Sequence, residues 1–386
     1  MSLAVYIHWP FCKKKCPYCD FNSHVSDAVD HKRWAEVLKA NIESFARLTD
    51  EKQVSSVFFG GGTPSMMEAD TIATCIQAVQ ANWQASNDFE VTFEANPTSS
   101  AAKKFEAFRE AGVNRISVGV QSFDNEALKF LGREHSAEEA KDAIAMARDI
   151  FPRASFDLIY GRPEQSLDQW RGELEQALAF NPDHISVYQL TIEEGTQFHT
   201  QHQRGDFIMP EADVEAQFYD LTQDVLGTAG LPAYEVSNHA KQGEQSRHNM
   251  SYWRYDDYVG IGPGAHGRFV SGGKRMTTRG HKAPEVWLDK ANGGYVGNGT
   301  DCGYRTESID ANTAFEEALM VGLRLSEGVD VMHLEEKTGR KFEDYIDQRK
   351  LSQLIDEGYI SYDLERVTCT MQGIKTLNSL LLYLLG

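Results

Sequence analysis

Six short runs rich in β-branched and aromatic residues alternate with helical segments over the first half of the chain, and this alternation restricts the fold more than any other feature. Each run is typical of a buried strand, and the stretches between the runs repeat apolar residues at helical spacing. Strand–helix alternation favours parallel strands joined by right-handed crossovers. The sequence therefore predicts an α/β fold built on a complete or partial β/α barrel with six strands, at Ala4–His8, Val57–Phe59, Phe89–Phe93, Arg115–Gly119, Ala154–Leu158 and His184–Tyr188.

The chemically unusual motifs of this half each accompany the end of one run. The segment Cys12-Lys-Lys-Lys-Cys16-Pro-Tyr-Cys19 follows the first run, and Gly60-Gly-Gly-Thr-Pro64 follows the second. Glu94 ends the third run, Gln121 follows the fourth, and Asp157 lies near the end of the fifth. Active sites of β/α barrels are built from the loops at the carboxyl ends of the strands. We therefore expect these side chains to converge at one barrel mouth.

The second half of the chain divides into two further parts. Residues 1–240 are assigned to the barrel, residues 241–310 to an irregular extension that carries His248-Asn-Met-Ser-Tyr-Trp253, and residues 311–386 to a small helical domain. The last part has three helices followed by a β-hairpin, which predicts a winged-helix-like α+β domain. Its predicted elements are helices at Thr313–Leu325, Asp330–Thr338 and Phe342–Glu357, strands near Tyr359–Tyr362 and Val367–Thr370, and a buried terminal helix.

The charge of the chain argues against two classes of partner. The chain has 57 acidic residues against 38 Lys and Arg, which gives a formal net charge of -19. Nucleic acid and anionic lipid both repel an acidic surface, so we expect no nucleic-acid binding and no direct contact with lipid charge. No apolar run is long enough to span a bilayer, and no signal peptide precedes the cysteines. We therefore expect a cytoplasmic protein that reaches a membrane only through a protein partner.

Three thiols within eight positions leave three interpretations open. Cys16 and Cys19 form a C-x-x-C pair, which occurs in redox proteins, but a redox pair gives Cys12 no role. The three cysteines with His24 would also make a Cys₃His set, which Zn²⁺ accepts. An iron–sulfur cubane is the third interpretation. It has four irons that each need one outer ligand, so three thiolates would leave one iron open to a substrate.

The wider motifs resemble a known superfamily. C-x-x-x-C-x-x-C after the first strand, with Gly60-Gly-Gly-Thr-Pro64 after the second, is similar to the radical S-adenosylmethionine (SAM) superfamily. Three further segments resemble the branch that contains oxygen-independent coproporphyrinogen III oxidase and the heme chaperones, namely Tyr6-Ile-His-Trp-Pro-Phe-Cys12, Cys19-Asp-Phe21 and Gly119-Val-Gln-Ser122. The resemblance covers nearly the whole chain. It implies a partial (β/α)6 radical-SAM barrel, a [4Fe–4S] cluster and SAM as cofactors.

The resemblance also assigns roles to individual residues. Cys12, Cys16 and Cys19 would ligate the cluster, and the open iron would take the amino and carboxylate groups of SAM. Glycine lets the backbone approach a ligand closely and present N–H donors. Read without the resemblance, the polar members of the set are ordinary structural ion pairs or caps. The residues expected beside the cluster or SAM are Tyr6, Tyr18, Gly61, Gly62, Thr63, Glu94, Gln121, Arg133 and Asp157.

Three features favour the heme-chaperone branch over the oxidase. The oxidase pattern has a fourth cysteine at the position of Phe21 in this chain. The oxidase also has an N-terminal arm before its cysteines, whereas only eleven residues precede the first cysteine of this chain. The segment His248-Asn-Met-Ser-Tyr-Trp253 resembles the H-N-x-x-Y-W signature of the chaperones. We expect His248 to ligate heme iron while Tyr252 and Trp253 pack on the macrocycle, with His266 as the next candidate ligand. The residues alone also allow a buried structural histidine beside a core aromatic pair.

These expectations define the partners and the alternatives. Heme and heme-accepting proteins are the predicted partners, membrane respiratory enzymes are candidate acceptors, and a homodimer is left open. We expect no conversion of coproporphyrinogen III, although a complete SAM site would permit residual SAM cleavage. A radical SAM enzyme acting on another substrate is the remaining alternative.

Overall fold

Six parallel strands form the centre of the largest sheet in the computed structural model, which describes residues 2–26, 28–49, 52–97, 101–294 and 302–386. These strands pair in the order β1-β4-β5-β6-β7-β8, and every neighbouring pair is parallel. The predicted partial (β/α)6 barrel is therefore confirmed. In chain order its elements are β1 (Ser2–Trp9), β2 (Phe11–Cys12), β3 (His24–Val25), α1 (His31–Leu48), β4 (Gln53–Gly61), α2 (Ala69–Asn82), β5 (Gln84–Ala95), α3 (Ala101–Glu110), β6 (Arg115–Gln121), α4 (Asn125–Phe130), α5 (Ala137–Ile150), β7 (Arg153–Tyr160), α6 (Leu167–Ala179), β8 (His184–Gln189), α7 (Gln197–Arg204), α8 (Ala212–Thr228), β9 (Ala233–Glu235) and β10 (Asn238–Ala240).

The helices between these strands begin where the sequence provides caps. In α5 the Ser136 hydroxyl accepts the backbone N–H of Glu139, and the Glu139 carboxylate accepts the backbone N–H of Ser136. Ser166 and Gln169 make the same reciprocal pair at the start of α6. Such caps satisfy N–H groups that have no partner inside the helix. The apolar pattern between the third and fourth strands predicts a helix at Ser100–Ala111, which corresponds to α3, and its first residue, Ser100, lies outside the described residues.

Residues 241–310 are not the irregular extension that the sequence predicted. They contain α9 (Arg247–Trp253), β11 (Asp257–Ile261), β12 (His266–Ser271), β13 (Lys274–Gly280), α10 (Pro284–Ala291) and β14 (Tyr304–Ser308). Strand β11 pairs parallel with β1, so these strands extend the barrel sheet to twelve strands. The prediction that residues 241–310 form a separate, irregular segment was wrong. Strand β11 pairs with Leu3–Ile7, about 250 residues earlier in the chain, and a local sequence pattern does not reveal so distant a partner.

The two faces of the sheet have different neighbours. Successive side chains of a strand point to opposite faces. In β1, Leu3, Val5 and Ile7 pack into the main hydrophobic core with the helix layer. Tyr6 points to the other face, where it meets the ring of His248 from α9. Helix α9 therefore lies inside the partial barrel.

A second hydrophobic core defines the C-terminal domain. Its three short strands, β15 (Val329–Asp330), β16 (Ile360–Tyr362) and β17 (Arg366–Cys369), pair in the order β15-β17-β16, and with the helices they form the predicted winged-helix-like arrangement. The predicted helix at 342–357 is two helices, because Ile346 is extended and Asp347 caps a new helix by accepting the backbone N–H groups of Arg349 and Lys350. The elements are α11 (Ala311–Gly322), β15 (Val329–Asp330), α12 (Val331–Thr338), α13 (Phe342–Tyr345), α14 (Gln348–Asp356), β16 (Ile360–Tyr362), β17 (Arg366–Cys369), α15 (Met371–Lys375) and α16 (Leu377–Leu385).

No helix in the described part of the chain is both long enough and apolar enough to cross a bilayer. The terminal helix α16 buries Leu380, Leu381 and Leu384 against the C-terminal core, as the sequence predicted.

Candidate cluster and cofactor site

A cavity of about 350 Å³ lies at the carboxyl ends of the barrel strands. It gathers every residue predicted for the cluster or for SAM except Tyr6, which lies deeper in the barrel. The convergence follows from the parallel register, because the carboxyl ends of parallel strands share one edge of the sheet. The predicted residues that line the cavity are Cys12, Cys16, Tyr18, Cys19, Gly61, Gly62, Thr63, Glu94, Gln121, Arg133 and Asp157.

The three cysteines lie on one loop whose backbone is held at several points. Cys12 ends β2, where its carbonyl accepts the N–H of Ser26, and the N–H of Cys19 donates to the carbonyl of Cys16 at 3.1 Å. All three thiols are free of disulfides. Burial raises the pKa of Cys12 and of Cys19. Burial makes these thiols costly to ionise, and they would ionise as ligands of a cationic iron centre.

The glycine motif after β4 packs against this loop too closely for a side chain. A Cβ atom on Gly62 would lie 2.7 Å from the Phe11 carbonyl oxygen and 3.0 Å from the Cys12 sulfur. Gly61 has a φ of +114°, and a Cβ there would lie 2.6 Å from the His8 ring. These positions therefore need glycine because the strand end touches the cysteine loop.

The N–H groups of this motif are bonded within the protein in this conformation, so their contact with SAM stays a prediction. The N–H of Gly62 donates to the carbonyl of Trp9 at 2.7 Å, and the N–H of Thr63 donates to the carbonyl of Phe11 at 2.8 Å. The N–H of Gly61 bonds the Glu94 carboxylate. The motif instead closes the cysteine loop onto the barrel and leaves space beside it.

Two buried carboxyl groups give the cavity its electrostatic character. Burial, and next the charge of Asp157, raise the pKa of Glu94 to about 8. Burial raises the pKa of Asp157 to about 6, although hydrogen bonds from Ser186 and Ser117 oppose the shift. The Ser117 hydroxyl donates to Asp157 at 3.2 Å. A cationic ligand between these groups would restore both charges, and the ammonium and sulfonium of SAM supply such charges.

Arg133 links the cysteine loop to the strand ends. Its guanidinium donates to the Cys16 sulfur at 3.5 Å, to the Asn96 side-chain oxygen at 2.6 Å and to the Gly119 carbonyl at 2.9 Å. Gln121, which has a left-handed φ of +71°, brings its amide to the same place. Arg133 thus places a positive charge in the cavity wall beside Cys16, and a carboxylate is the group that it suits.

The zinc interpretation receives less support from this arrangement. His24, the fourth ligand of the zinc interpretation, does not line the cavity, and its Nε2 lies 3.3 Å from the Asn22 side-chain oxygen. Within the described residues, no three His, Cys, Asp or Glu side chains are arranged to hold one metal ion. A cubane makes a different demand, because each thiolate ligates a different iron.

Two of the predicted site residues lie deeper in the barrel, outside the cavity wall. Tyr6 hydrogen-bonds His8 Nδ1 at 3.0 Å. His248 is 1% exposed, and both of its ring nitrogens have partners: Ser56 Oγ lies 2.9 Å from Nδ1, and the Tyr252 hydroxyl lies 2.9 Å from Nε2. Burial, and next the charge of Arg115, lower the pKa of His248 to about 3. His248 is thus a neutral histidine whose two ring nitrogens are both hydrogen-bonded in this conformation, and its role as a heme ligand stays a prediction.

The other motif residues are also placed differently from the prediction. The Tyr252 hydroxyl hydrogen-bonds His248 Nε2, and the Arg324 guanidinium lies over the Trp253 ring, 4.9 Å from its centre. His266 is exposed at the start of β12. Phe21 is 60% exposed at the cavity rim, so it does not cover the cluster position.

Sequence reasoning missed several groups that belong to this wall. Asn96, Ser117 and Tyr188 line the cavity together with the predicted residues. Ser117 and Tyr188 could have been predicted from the alternation of side chains along the strands. Ser117 lies two residues from Gly119, and Tyr188 lies two residues from Ser186, and both Gly119 and Ser186 face the barrel interior. Asn96 was visible within Glu94-Ala-Asn-Pro97, but only the bond to Arg133 gives it a role.

Comparison with known proteins identifies the family. Residues 6–177 match the family model described as the radical SAM superfamily, and residues 309–375 match the HemN C-terminal domain. The chain is 37% identical to the heme chaperone HemW of Escherichia coli (strain K12), over 98% of this chain and 97% of that protein. The chain belongs to the radical SAM superfamily, in the HemW family.

Two further comparisons agree with this assignment. The HemW-family chain is 39% identical to the mitochondrial radical S-adenosyl methionine domain-containing protein 1 of Mus musculus, over 99% of this chain and 87% of that protein. The coproporphyrinogen III oxidase HemN of Escherichia coli superposes with a TM-score of 0.80 at 22% identity, over 99% of this chain and 89% of that one. The second likeness concerns the fold alone.

The residues present fit the cofactors of a radical SAM protein. Cys12, Cys16 and Cys19 would hold the [4Fe–4S] cluster, which supplies one-electron chemistry to SAM when both are bound. Glu94 and Asp157 would face the cationic groups of SAM, and Arg133 its carboxylate. Gly61 and Gly62 keep the space beside the cysteine loop free of side chains.

Proposed function

We propose that this protein is a heme chaperone that binds heme and passes it to heme-requiring proteins, on a radical SAM scaffold. The observation that carries the proposal is the end-to-end match to relatives named heme chaperone HemW. Those of Escherichia coli and Haemophilus influenzae are 37% and 34% identical and are each matched over 97% of their length. A match of that extent includes both the barrel and the C-terminal domain.

The cysteine loop supports the chaperone over the oxidase. Cys19-Asp-Phe21 places an exposed aromatic ring where the oxidase pattern has a fourth cysteine. The fold likeness to HemN does not decide between the two activities, because one fold serves many functions. We therefore expect heme binding without conversion of coproporphyrinogen III.

The role of His248 needs a structural change if this residue ligates heme. Its Nε2 would have to lose the Tyr252 hydroxyl before it could bind iron. Because α9 lies inside the barrel, a macrocycle could reach the imidazole only if the helix moved. The conformation described here supports a structural role, in which His248 ties α9 to β4 through Ser56.

The finer statements about partners extend this proposal. We propose membrane respiratory enzymes as acceptors, reached through protein contacts, because the net charge of -19 opposes attraction to anionic lipid. We also propose a cytoplasmic location, with contact to the membrane only through such a partner. A homodimer would be seen directly by light scattering during purification.

Parallel titration of heme and coproporphyrinogen III tests the proposal. The protein is reconstituted anaerobically with iron and sulfide, and each tetrapyrrole is then added with SAM under reducing conditions. We expect a saturable Soret change with heme and no protoporphyrinogen IX. Turnover of coproporphyrinogen III would establish the oxidase instead, and a protein that bound neither would leave a radical SAM enzyme with another substrate.

A further inference from the structure

A groove on the C-terminal domain lies between the start of α12, the helix α13 and the turn that joins β16 to β17. Its volume is about 690 Å³, which is within the range of clefts that bind ligands. The backbone N–H of Val331 donates to the carbonyl of Glu365 at 2.9 Å, so the first turn of α12 is tied to the β16–β17 turn. We name it the α12–hairpin groove, and the side chains that matter in it are those of Met332, Glu335, Glu343, Asp344, Leu364 and Glu365.

Two apolar side chains of this groove lie in water. Met332 is 77% exposed and Leu364 is 70% exposed, although the domain has a hydrophobic core of its own. Single exposed apolar side chains are ordinary on a protein surface, but two that line one groove provide a contact area for a partner. Methionine is unbranched and flexible, so it can pack against partners of different shape.

Leu364 also has a backbone conformation that leucine rarely adopts. Its φ is +72°, in the left-handed region that favours glycine and asparagine. The Asp363 carboxylate holds the turn by accepting the backbone N–H groups of Glu365 at 3.1 Å and Arg366 at 2.8 Å. A leucine here costs backbone energy and buries little surface within the chain. Contact with a partner would compensate for this cost, whereas folding of the chain alone does not.

The groove is acidic. Glu343, Asp344 and Glu365 form no ion pair within the described part of the chain, and Lys341, which also lines the groove, is paired with Glu335. The hydrogen bond to Glu335, with the charges of Asp344 and Glu343, raises the pKa of Lys341, so these carboxylates act on one place. Unpaired carboxylates beside exposed apolar side chains complement a segment that combines Lys or Arg with apolar residues.

We propose that the α12–hairpin groove docks a Lys- and Arg-rich segment of the heme acceptor, and that apolar side chains of this segment pack on Met332 and Leu364. The inference rests on the proposed function, because it names the surface on which the chaperone receives its acceptor. The cytoplasmic ends of membrane helices carry an excess of Lys and Arg, so the membrane respiratory enzymes proposed above supply a segment of this chemistry. Opposite charges speed the encounter and orient the acceptor, and the apolar contact slows its release.

Other occupants suit the groove less well. A second copy of this chain would bring another net charge of -19, and nucleic acid and anionic lipid would likewise be repelled. Within the described residues, no three His, Cys, Asp or Glu side chains are arranged to hold one metal ion. A bare cation would also give Met332 and Leu364 no role.

Peptide binding to the whole chain tests the proposal. The probe is a fluorescently labelled peptide that alternates Lys or Arg with Leu, and the control peptide has Gln in place of each Lys and Arg. The Kd is measured by fluorescence anisotropy at low and high salt. The test variants are Glu343→Gln/Glu365→Gln, which removes charge from the groove, and Leu364→Asn, which removes its apolar side chain.

Each test variant has a matched control at exposed residues outside the groove. The control for the charge change is Glu110→Gln/Glu175→Gln, and the control for the apolar change is Ile208→Asn. Ile208 is 81% exposed, so its replacement removes a comparable apolar surface. Both control variants should bind the peptide as the wild type does.

The two test variants should respond differently to salt and to heat. Glu343→Gln/Glu365→Gln should weaken binding by about fivefold at low ionic strength, and the loss should shrink as salt screens the charges. Leu364→Asn should weaken binding by about tenfold at either salt concentration, because the loss is of apolar contact. The Tm of Leu364→Asn should not fall, since asparagine tolerates the left-handed conformation better than leucine.

The proposal is overturned by equal peptide affinity in the wild type and both test variants, by no binding to the wild type, or by equally tight binding of the Gln control peptide. A lower Tm of Leu364→Asn with unchanged affinity would make Leu364 a packing residue. A change of molar mass in the test variants by light scattering would assign the groove to a second copy of the chain.

Heme titration of the same proteins keeps the two proposals apart. The Soret change should be the same in the wild type and in every variant, because the groove holds the acceptor and not the heme. Intact heme binding with equal peptide affinities would overturn the groove assignment alone. A wild type that binds no heme would overturn the proposed function, and the acceptor assignment with it, whatever the peptide affinities.

Discussion

Replacing His248 with alanine separates a structural histidine from a heme ligand. The imidazole is buried inside the barrel, bonds Ser56 and Tyr252 at 2.9 Å each, and stacks on Phe58 with ring centres 4.9 Å apart. In His248→Ala both hydroxyl groups lose their partner, and a space the size of the ring is left between α9 and β4.

The expected loss of stability follows from these contacts. A buried polar group without a partner costs about 1 to 3 kcal/mol, and truncating a buried ring to alanine costs about 3 to 5 kcal/mol. These two costs are not additive, because the same cavity causes both the lost packing and the unpaired hydroxyl groups. We therefore expect the free energy of unfolding to fall by about 3 to 5 kcal/mol in total. With an unfolding entropy of about 2.1 cal/mol/K per residue, a chain of this length should lose about 4 to 6 °C in Tm.

The assay combines thermal unfolding with heme spectroscopy. Tm is measured by circular dichroism for the wild type, His248→Ala and Ser56→Ala, and the Soret band is then recorded below the lowest Tm. The structural account predicts a large loss for His248→Ala, a smaller loss for Ser56→Ala, and an unchanged Soret position in both variants. An unchanged Tm with a shifted or missing Soret band in His248→Ala would refute this account and restore His248 as the ligand.

Three further predictions concern the cavity. Cys12→Ala should abolish the brown colour and the bound iron of the anaerobically reconstituted protein. The control variant Cys75→Ala, in the hydrophobic core, should retain about four irons per chain. Iron retained by Cys12→Ala would contradict the ligand assignment. The raised pKa of Glu94, about 8, means that the folded cofactor-free protein binds a proton that the unfolded chain releases near pH 4.5. This contribution to stability is complete below pH 4.5 and is lost as the pH rises to 8. Denaturant titrations should therefore show a smaller decline in the free energy of unfolding between these pH values for Glu94→Gln than for the wild type. The same decline in both proteins would contradict the raised pKa of Glu94. Asp157→Ala should weaken SAM binding by tenfold or more in calorimetry, because it removes one of the two carboxylates that face the ligand, and wild-type affinity would remove Asp157 from the site.

The sequence predicted the barrel and its mouth because both depend on local patterns. The alternation of strand and helix is visible within windows of about fifteen residues, and it places Gly62, Glu94 and Asp157 at the carboxyl ends of their strands without any knowledge of long-range contacts. The glycine motif, Glu94, Gln121 and Asp157 were therefore predictable from strand ends, whereas Tyr18 and Arg133 came from the resemblance and Asn96, Ser117 and Tyr188 were missed.

The placement of α9 could not be predicted in this way. The helical pattern of Arg247–Trp253 does not reveal that Ser56, 192 residues earlier, binds His248, or that the Glu90 carboxylate accepts the backbone N–H of Arg247. The pairing of β11 with β1 is equally distant in sequence. The sequence motif around a histidine is the same whether the histidine binds a ligand or packs in a core. Only the hydrogen-bond partners of its two ring nitrogens distinguish these roles.

The measurement that tests the central claim most directly is heme transfer from the loaded protein. The heme-loaded, cluster-containing protein is mixed with increasing concentrations of an apo-form respiratory heme protein, and the Soret shift is followed by stopped-flow absorbance. The rate of spontaneous heme release is measured separately with an excess of a heme-scavenging apoglobin. A chaperone that hands heme over directly should show a transfer rate that rises with acceptor concentration and exceeds the release rate. A transfer rate that stays at the release rate at every acceptor concentration would contradict the account, because the heme would then simply dissociate into solution.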